Sequence, residues 1–172
     1  TSGITLALSN NARRIVTEAV QAAKHKGVTV SFDFNYRSKL WSLEEAREAI
    51  VSVLPHVDIC FAGRHDVENI LGYCFSPAAA SQEQVYKDLF GRLIETYDIT
   101  YVATTIRTVH SASRNSLAGI VVTRAGDMVV TEPYHFDIVD RIGGGDAFAA
   151  GFLHGITSEG KNVSYALGFA LA

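Results

Sequence analysis

Short β-branched runs alternate with amphipathic stretches along most of this chain, and that alternation restricts it to an α/β fold whose strands lie side by side in one sheet. Asn10 or Asn11 is expected to cap a helix whose apolar positions Ile15, Val16, Ala19, Val20 and Ala23 keep the helical period, with Lys24, Lys26 and Gly27 ending it. Val28 to Phe32 reads as a strand, so Asp33 falls where strand gives way to loop, the crest at which open α/β sheets carry ligands. Ser42 and Glu45 have capping-box spacing, and the helix they open is predicted to run to about Leu54, before Pro55. Asp58 to Ala62 reads as a strand, Arg64 to Leu71 as a short helix closed by Gly72, Ser81 to about Tyr97 as an amphipathic helix, and Ile99 to Ala103 as a strand.

Beyond that point the pattern changes. Asn115 to Thr123 and Met128 to Thr131 are strand-like runs separated by the turn sequence Arg124-Ala125-Gly126-Asp127, which predicts an antiparallel edge on an otherwise parallel sheet. Two helices are expected to follow, from Gly144 to about Ile156 and from Val163 onward.

With 172 residues, 48% of them hydrophobic, and a formal net charge of −3, the chain can bury a sizeable core and has no basic excess for nucleic acid. It reads as one domain, without repeat, linker or low-complexity tract. Cys60 lies in an apolar run and Cys74 in a loop-like stretch, with no metal-ligand spacing between them, so both are expected as free thiols. No cationic segment followed by an apolar core opens the chain, and no apolar run approaches the roughly 20 residues of a bilayer span, so a cytoplasmic location without membrane partners is expected. The six histidines have no paired ligand spacing; His110, His135 and His154 read as loop, strand-end and helix-surface residues.

The run Asp140-Arg141-Ile142-Gly143-Gly144-Gly145-Asp146, followed by Ala147-Phe148-Ala149-Ala150-Gly151, carries the chemistry. Successive glycines let backbone approach a ligand closely, and the first-turn N–H groups of the next helix lack intrahelical partners, which makes them donors for an anion such as phosphate. Asp146 stands where a carboxylate can take a proton from an alcohol attacking a phosphoryl group held by those donors. The same pattern also opens an ordinary helix, with Asp146 favourable to its dipole. No Gly-x-x-x-x-Gly-Lys-Ser/Thr loop occurs, and the dinucleotide fingerprint fails because its third glycine falls on Phe148.

Asp140 to Gly151 resembles the second signature of the ribokinase-like (PfkB-type) carbohydrate kinases, Asp-Thr-x-Gly-Ala-Gly-Asp before a small-residue helix, with Arg141 in place of the Thr and Gly144 in place of the Ala. Asp33-Phe34-Asn35-Tyr36-Arg37-Ser38-Lys39-Leu40-Trp41 resembles the Asp-x-Asn-x-Arg-x-x-Leu-Trp stretch of the 2-keto-3-deoxygluconate kinase branch, and Ser2 to Ser9 resembles the segment before it. The resemblance implies a three-layer α/β/α ribokinase-like fold, a mostly parallel sheet with an antiparallel edge. It also implies a chain cut at both ends, a partial domain lacking an upstream lid and sugar-binding part and a last nucleotide-enclosing stretch. Homo-oligomers in the family often form through that lid.

Carried over, the resemblance makes Asp146 the catalytic base and Gly143, Gly144 and Gly145 the anion hole, in a reaction moving the γ-phosphoryl group of ATP, with magnesium (Mg2+), to a hydroxyl of a small sugar acid. Arg37 then pairs with a substrate carboxylate or the transferred phosphate, the alternative being a loop-bracing role. Asp33 and Asn35 join it as substrate-binding candidates, although both types also serve as turn residues. Leu40 and Trp41 read as packing residues. Thr105 and Arg107, expected after the strand ending near Ala103, are nucleotide-binding candidates, with Ile106 and Thr108 where relatives have glycine. The family's Asn-x-x-Glu metal element falls on Gly63-Arg64-His65-Asp66, which keeps a carboxylate at Asp66, acting on magnesium through water, and loses the amide. A neutral-sugar kinase such as a fructokinase, and a noncatalytic nucleotide-binding module, are the alternative functions.

Overall fold

The computed structural model describes residues 1–74, 81–140, 142–159 and 162–172. Arg141, the variant position of the glycine motif, lies outside the described residues. The chain divides into two compact units, 1–102 with 122–126, and 103–121 with 127–172.

The first unit holds α1 (Gly3–Ala7), α2 (Asn10–His25), β1 (Ser31–Asp33), α3 (Leu43–Val53), a 3₁₀ turn at Leu54–His56, β2 (Ile59–Phe61), α4 (Arg64–Leu71) and α5 (Gln82–Tyr97). Strands β1 and β2 pair in parallel, Phe32 beside Cys60 and Asp33 beside Phe61. Helix boundaries follow local chemistry. Ser42 accepts from Glu45 N–H while the Glu45 carboxylate accepts from Ser42 N–H, the predicted capping box, and Gly72 closes α4 in the left-handed region that glycine adopts without penalty. Ser81 Oγ caps α5 by accepting from Gln84 N–H. At α2 the cap is Ser9, not Asn10 or Asn11: its Oγ accepts from Ala12 N–H at 3.1 Å, which satisfies one first-turn donor and draws both asparagines into the helix.

Burial of Leu6, Phe32, Phe34, Ile50, Leu54, Ile70, Phe90, Leu93 and Ile99 forms the core of this unit, with Phe32 and Phe34 edge to face at 5.9 Å. Asp58 anchors α2 to the sheet by accepting from Lys24 Nζ at 2.6 Å and from Val30 N–H at 2.8 Å. That anchor explains why the first strand is shorter and later than the β-branched run from Val28 suggests: Val30 donates to a side chain instead of a ladder partner. Trp41 packs as expected, whereas Leu40 is exposed. The short helix α1 carries no periodic signal long enough to reveal it.

The second unit holds most of β3 (Tyr101–Val109) and β4 (Arg114–Thr123), then β5 (Met128–Val130), β6 (Tyr134–Asp137), α6 (Gly144–Thr157) and α7 (Val163–Leu171). His110 N–H bonds Arg114 O at one end of β3–β4 and Arg124 N–H bonds Thr100 O at the other, so the two strands form an antiparallel hairpin. That register sets Thr105 opposite Gly119, Arg107 opposite Leu117 and Val109 opposite Asn115. On its other side β4 pairs antiparallel with β6, Asn115 beside Phe136.

One expectation is corrected here, and one strand was not expected. Thr105 and Arg107 lie inside β3, not after it: Thr104 to Val109 is rich in β-branched residues, which keep extended backbone whether or not they are buried. The strand β6 escapes the pattern because its outward residues are polar or aromatic and mostly exposed, leaving no alternation to read. Helices α6 and α7 pack closely through glycine: a Cβ at Gly155 would stand 2.5 Å from Ala166 Cα, and one at Gly151 2.8 Å from Ala170 Cα. Against β4, a Cβ at Gly119 would meet Leu167 at 2.9 Å, so α7 covers the face of that strand carrying odd-numbered residues.

Candidate active site

Sequence candidates fall in both units, and each unit gathers its own share. In the first, Asp33 ends β1, and Asn35 and Arg37 follow it at the carboxyl crest of the parallel pair. Asp33 Oδ1 accepts from Asn35 N–H at 3.0 Å, an Asx turn that carries Asn35 at φ +37°, a conformation asparagine tolerates better than most residues. Arg37 is exposed, with Nη1 donating to Tyr36 O at 3.1 Å, which holds the guanidinium at the surface with donors left over.

Asp66, at the third position of α4, turns back to accept from Gly63 N–H at 3.3 Å, and a Cβ at Gly63 would stand 3.2 Å from that carboxylate oxygen. Glycine at this helix start thus fits the returned carboxylate where a larger residue crowds it. Burial raises the Asp66 pKa above its ordinary value, against the lowering effects of the Gly63 N–H, Arg37 and His65. The Cys60 thiol, fully buried, is pushed well up by desolvation and then by the charges of Asp33 and Asp66. Asp33, Asn35, Arg37 and Asp66 therefore share one electrostatic neighbourhood around the ends of β1 and β2.

In the second unit, Gly143 precedes α6 at φ +77°, and Gly144, Gly145 and Asp146 fill its first turn. No side chain caps this helix. Among the described residues, nothing beyond each glycine's own turn lies within 4 Å of where a Cβ would stand at 143, 144 or 145. Packing therefore explains Gly151 and Gly155 but not Gly144 or Gly145, each of which forgoes up to about 1 kcal/mol of helix propensity relative to alanine. First-turn N–H groups lack partners within the helix, so a helix start of this kind can seat an anion. Asp146 is exposed beside it and makes no hydrogen bond or ion pair among the described residues. Thr105 and Arg107 project on the same face of the hairpin as Gly119, the face that α7 covers.

One residue of this unit drew no attention in the sequence. Asn115 is fully buried and neither polar atom of its amide has a partner among the described residues. An isolated asparagine at the start of an apolar strand run was the only signal available. No cluster of three or more potential metal-ligating side chains occurs among the described residues, and no helix among them is long and apolar enough to cross a membrane.

The fold and the glycine-lined, uncapped start of α6 are compatible with an enzyme that holds phosphate on backbone amides. The chain belongs to the pfkB family of carbohydrate kinases, whose profile matches residues 1–172. It is 36% identical to a 2-dehydro-3-deoxygalactonokinase of Haloferax volcanii, across 100% of this chain and 48% of that protein. It is 30% identical to a 2-dehydro-3-deoxygluconokinase of Haemophilus influenzae, across 90% and 44%. Among solved structures, the 2-dehydro-3-deoxygluconokinase of Thermotoga maritima superposes with a TM-score of 0.89 at 32% identity, covering 99% of this chain and 50% of that one. A PfkB family carbohydrate kinase from Listeria grayi gives 0.86 at 38% identity, with the same coverage. The chain thus spans about half the length of the relatives it matches.

Proposed function

We propose that the whole protein to which this chain belongs is a cytoplasmic ATP-dependent sugar kinase that phosphorylates a hydroxyl of a small 2-dehydro-3-deoxy sugar acid, 2-keto-3-deoxygluconate first among them. The observation that carries this reading is the start of α6: among the described residues nothing packs where a Cβ would stand at Gly144 or Gly145, and both stand next to an unengaged Asp146. The names of the relatives, which include kinases of both the galacto and the gluco acid, support the acid class.

The residues present fit such a substrate pair. ATP with magnesium supplies the phosphoryl group and neutralises part of its charge. Backbone N–H groups at Gly143 to Gly145 hold phosphoryl oxygens without reorganising, which is the main catalytic requirement of a loose phosphoryl-transfer transition state. Asp146 takes the proton of the attacking hydroxyl, a role that requires an accessible carboxylate not already engaged as a cap. Arg37 presents a planar fork that pairs with the carboxylate of a sugar acid, and Asp33 and Asn35 shape the turn that presents it. Thr105 and Arg107 bind the nucleotide. Asp66 is the carboxylate that would hold magnesium, through water, with one of its oxygens engaged by Gly63 N–H.

The test is a coupled ADP-release assay on the full-length protein with ATP, magnesium and a panel of 2-keto-3-deoxygluconate, its galacto epimer, fructose and ribose. Turnover confined to the two acids is expected. Turnover confined to a neutral sugar would overturn the substrate class and reassign Arg37 to phosphate, and nucleotide binding without turnover on any sugar would favour a noncatalytic module.

A further inference from the structure

His110 and His135 are far apart in the sequence, yet the second unit brings them together. His110 follows β3 directly at the β3–β4 turn, and His135 lies in β6, on the other side of β4. Between them, Ser116 of β4 stands directly opposite His135 in the strand register, with its hydroxyl 3.0 Å from His110 Nε2. The two ring centroids are 5.7 Å apart and the rings are tilted by 39°; both histidines are exposed, whereas Ser116 is buried. Ser116 accounts for one nitrogen of His110 and leaves Nδ1 unengaged, and neither nitrogen of His135 makes a hydrogen bond among the described residues. A serine hydroxyl that accepts from Nε2–H fixes the tautomer in which Nδ1 carries the lone pair, the way an outer partner orients a metal-binding histidine. The spacing also fits a shared cation. With each nitrogen about 2.0–2.1 Å from zinc and the ring centre roughly 1 Å behind it, two imidazoles at a tetrahedral angle have centres about 5 Å apart. The charged groups on the same face, Arg114 of β4 and Asp137 of β6, stand opposite each other at 3.8 Å and offset one another.

We propose that His110 and His135 form a binding site for a borderline divalent cation of the zinc class, with water in its remaining positions. No third imidazole, thiolate or carboxylate completes the set among the described residues, so the two rings are the protein's whole contribution there. Magnesium, which takes oxygen ligands, is not its cation, and the inference is independent of the kinase reading. A cation held by both rings ties β6 to the β3–β4 turn across the width of β4, and it stabilises the folded unit by mass action. Ser116 and His135 lie on the face of the strands opposite Gly119, Thr105 and Arg107, which separates this site from the nucleotide candidates.

The experiment uses the full-length protein stripped with EDTA, together with His110→Ala and His135→Ala. Calorimetry follows Zn2+ alone, and electron paramagnetic resonance follows Cu2+ as a probe of ligand type. Wild type is expected to have a site that takes up Zn2+ near neutral pH and loses it by about pH 5.5, because an imidazole must be unprotonated to bind metal. Each variant is expected to weaken that site about tenfold or more, and the Cu2+ spectrum to change from two coupled nitrogens to one. Both side chains are exposed, so thermal unfolding of the metal-free variants should match wild type, while saturating Zn2+ raises the midpoint of wild type further than that of either variant. Identical Zn2+ binding in wild type and both variants would overturn the inference. So would a loss confined to one variant, or a Cu2+ spectrum with a single nitrogen in wild type, since either marks a lone imidazole.

Discussion

Helices α3 and α6 both carry an acid at the third position of their first turn, and they use it in opposite ways. At α3, Glu45 turns back to Ser42, accepting from its N–H at 2.9 Å and from its hydroxyl at 3.0 Å, while Ser42 Oγ accepts from Glu45 N–H. At α6, glycine stands where the serine would, and Asp146 reaches no cap. Helix α4 is intermediate, with Asp66 returned to Gly63 N–H although the cap residue has no side chain. The contrast teaches where stability has been given up. A helix start whose donors and acid satisfy one another is closed to ligands; one that leaves both unsatisfied is available to a phosphate and a proton.

Breaking the α6 arrangement should have the largest effect. Asp146→Asn in the full-length protein is expected to lower kcat by about 10²- to 10⁴-fold while the ATP analogue still binds, as read by ADP release and calorimetry. Undiminished turnover would reduce Asp146 to a helix-start residue like Glu45. Within the same helix, Gly155→Ala forces a methyl against Ala166 and is expected to cost about 1–3 kcal/mol in urea unfolding. Gly144→Ala should do the reverse to stability, raising it by up to about 1 kcal/mol, while KM for ATP climbs at least severalfold. If Gly144→Ala left nucleotide binding intact, the anion seat would have to lie elsewhere.

Effects at α3 should be confined to stability, whereas at α4 a pH-dependent change in stability is expected alongside any loss of activity at Asp66. Ser42→Ala is expected to cost about 1 kcal/mol with kcat unchanged, since it removes the cap and touches no candidate substrate group. The Glu45 pKa is lowered by the Ser42 N–H first and its hydroxyl second. A lowered carboxyl pKa contributes stability above its unfolded value, near pH 4, and loses it as pH falls through the folded value, so the difference between wild type and Ser42→Ala should shrink toward acid. Asp66 has the opposite sign. Its raised pKa means that its contribution is present below the unfolded value and lost as pH rises through the folded one. Asp66→Asn, which keeps an oxygen for Gly63, should therefore gain on wild type as pH rises from about 4 and then level off. A urea-midpoint series over pH checks both, the Asp66 change being the smallest expected.

Much of this molecule was legible without coordinates because its signals are local. The Ser42 box, the Ser81 start, the Gly72 stop and the helical periods of α2 and α5 depend on contacts three or four residues apart, and each element stands within a residue or two of its expected place. Apart from the α2 cap, which shifted by one residue to Ser9, the differences occur where a distant partner intervened. Asp58 claimed the Val30 N–H and shortened β1; β4 supported β3 past Ala103, so Thr105 and Arg107 became strand residues; β6 exists because β4 offered it an edge.

The candidate site divides along the same line. Glycines before an aspartate, and an arginine just past a strand, are short-range patterns, and they marked Gly143 to Asp146 and Arg37 from the chain alone. Whether those glycines serve packing or a ligand is a question about neighbours far away in sequence, and only the folded chain separates Gly144, with open space before it, from Gly155, pressed on Ala166. Asn115 belongs wholly to the second kind. An asparagine in a strand run has no chemical signature until tertiary packing removes water from its amide and supplies no partner, because desolvation is a property of the surroundings and not of the residue.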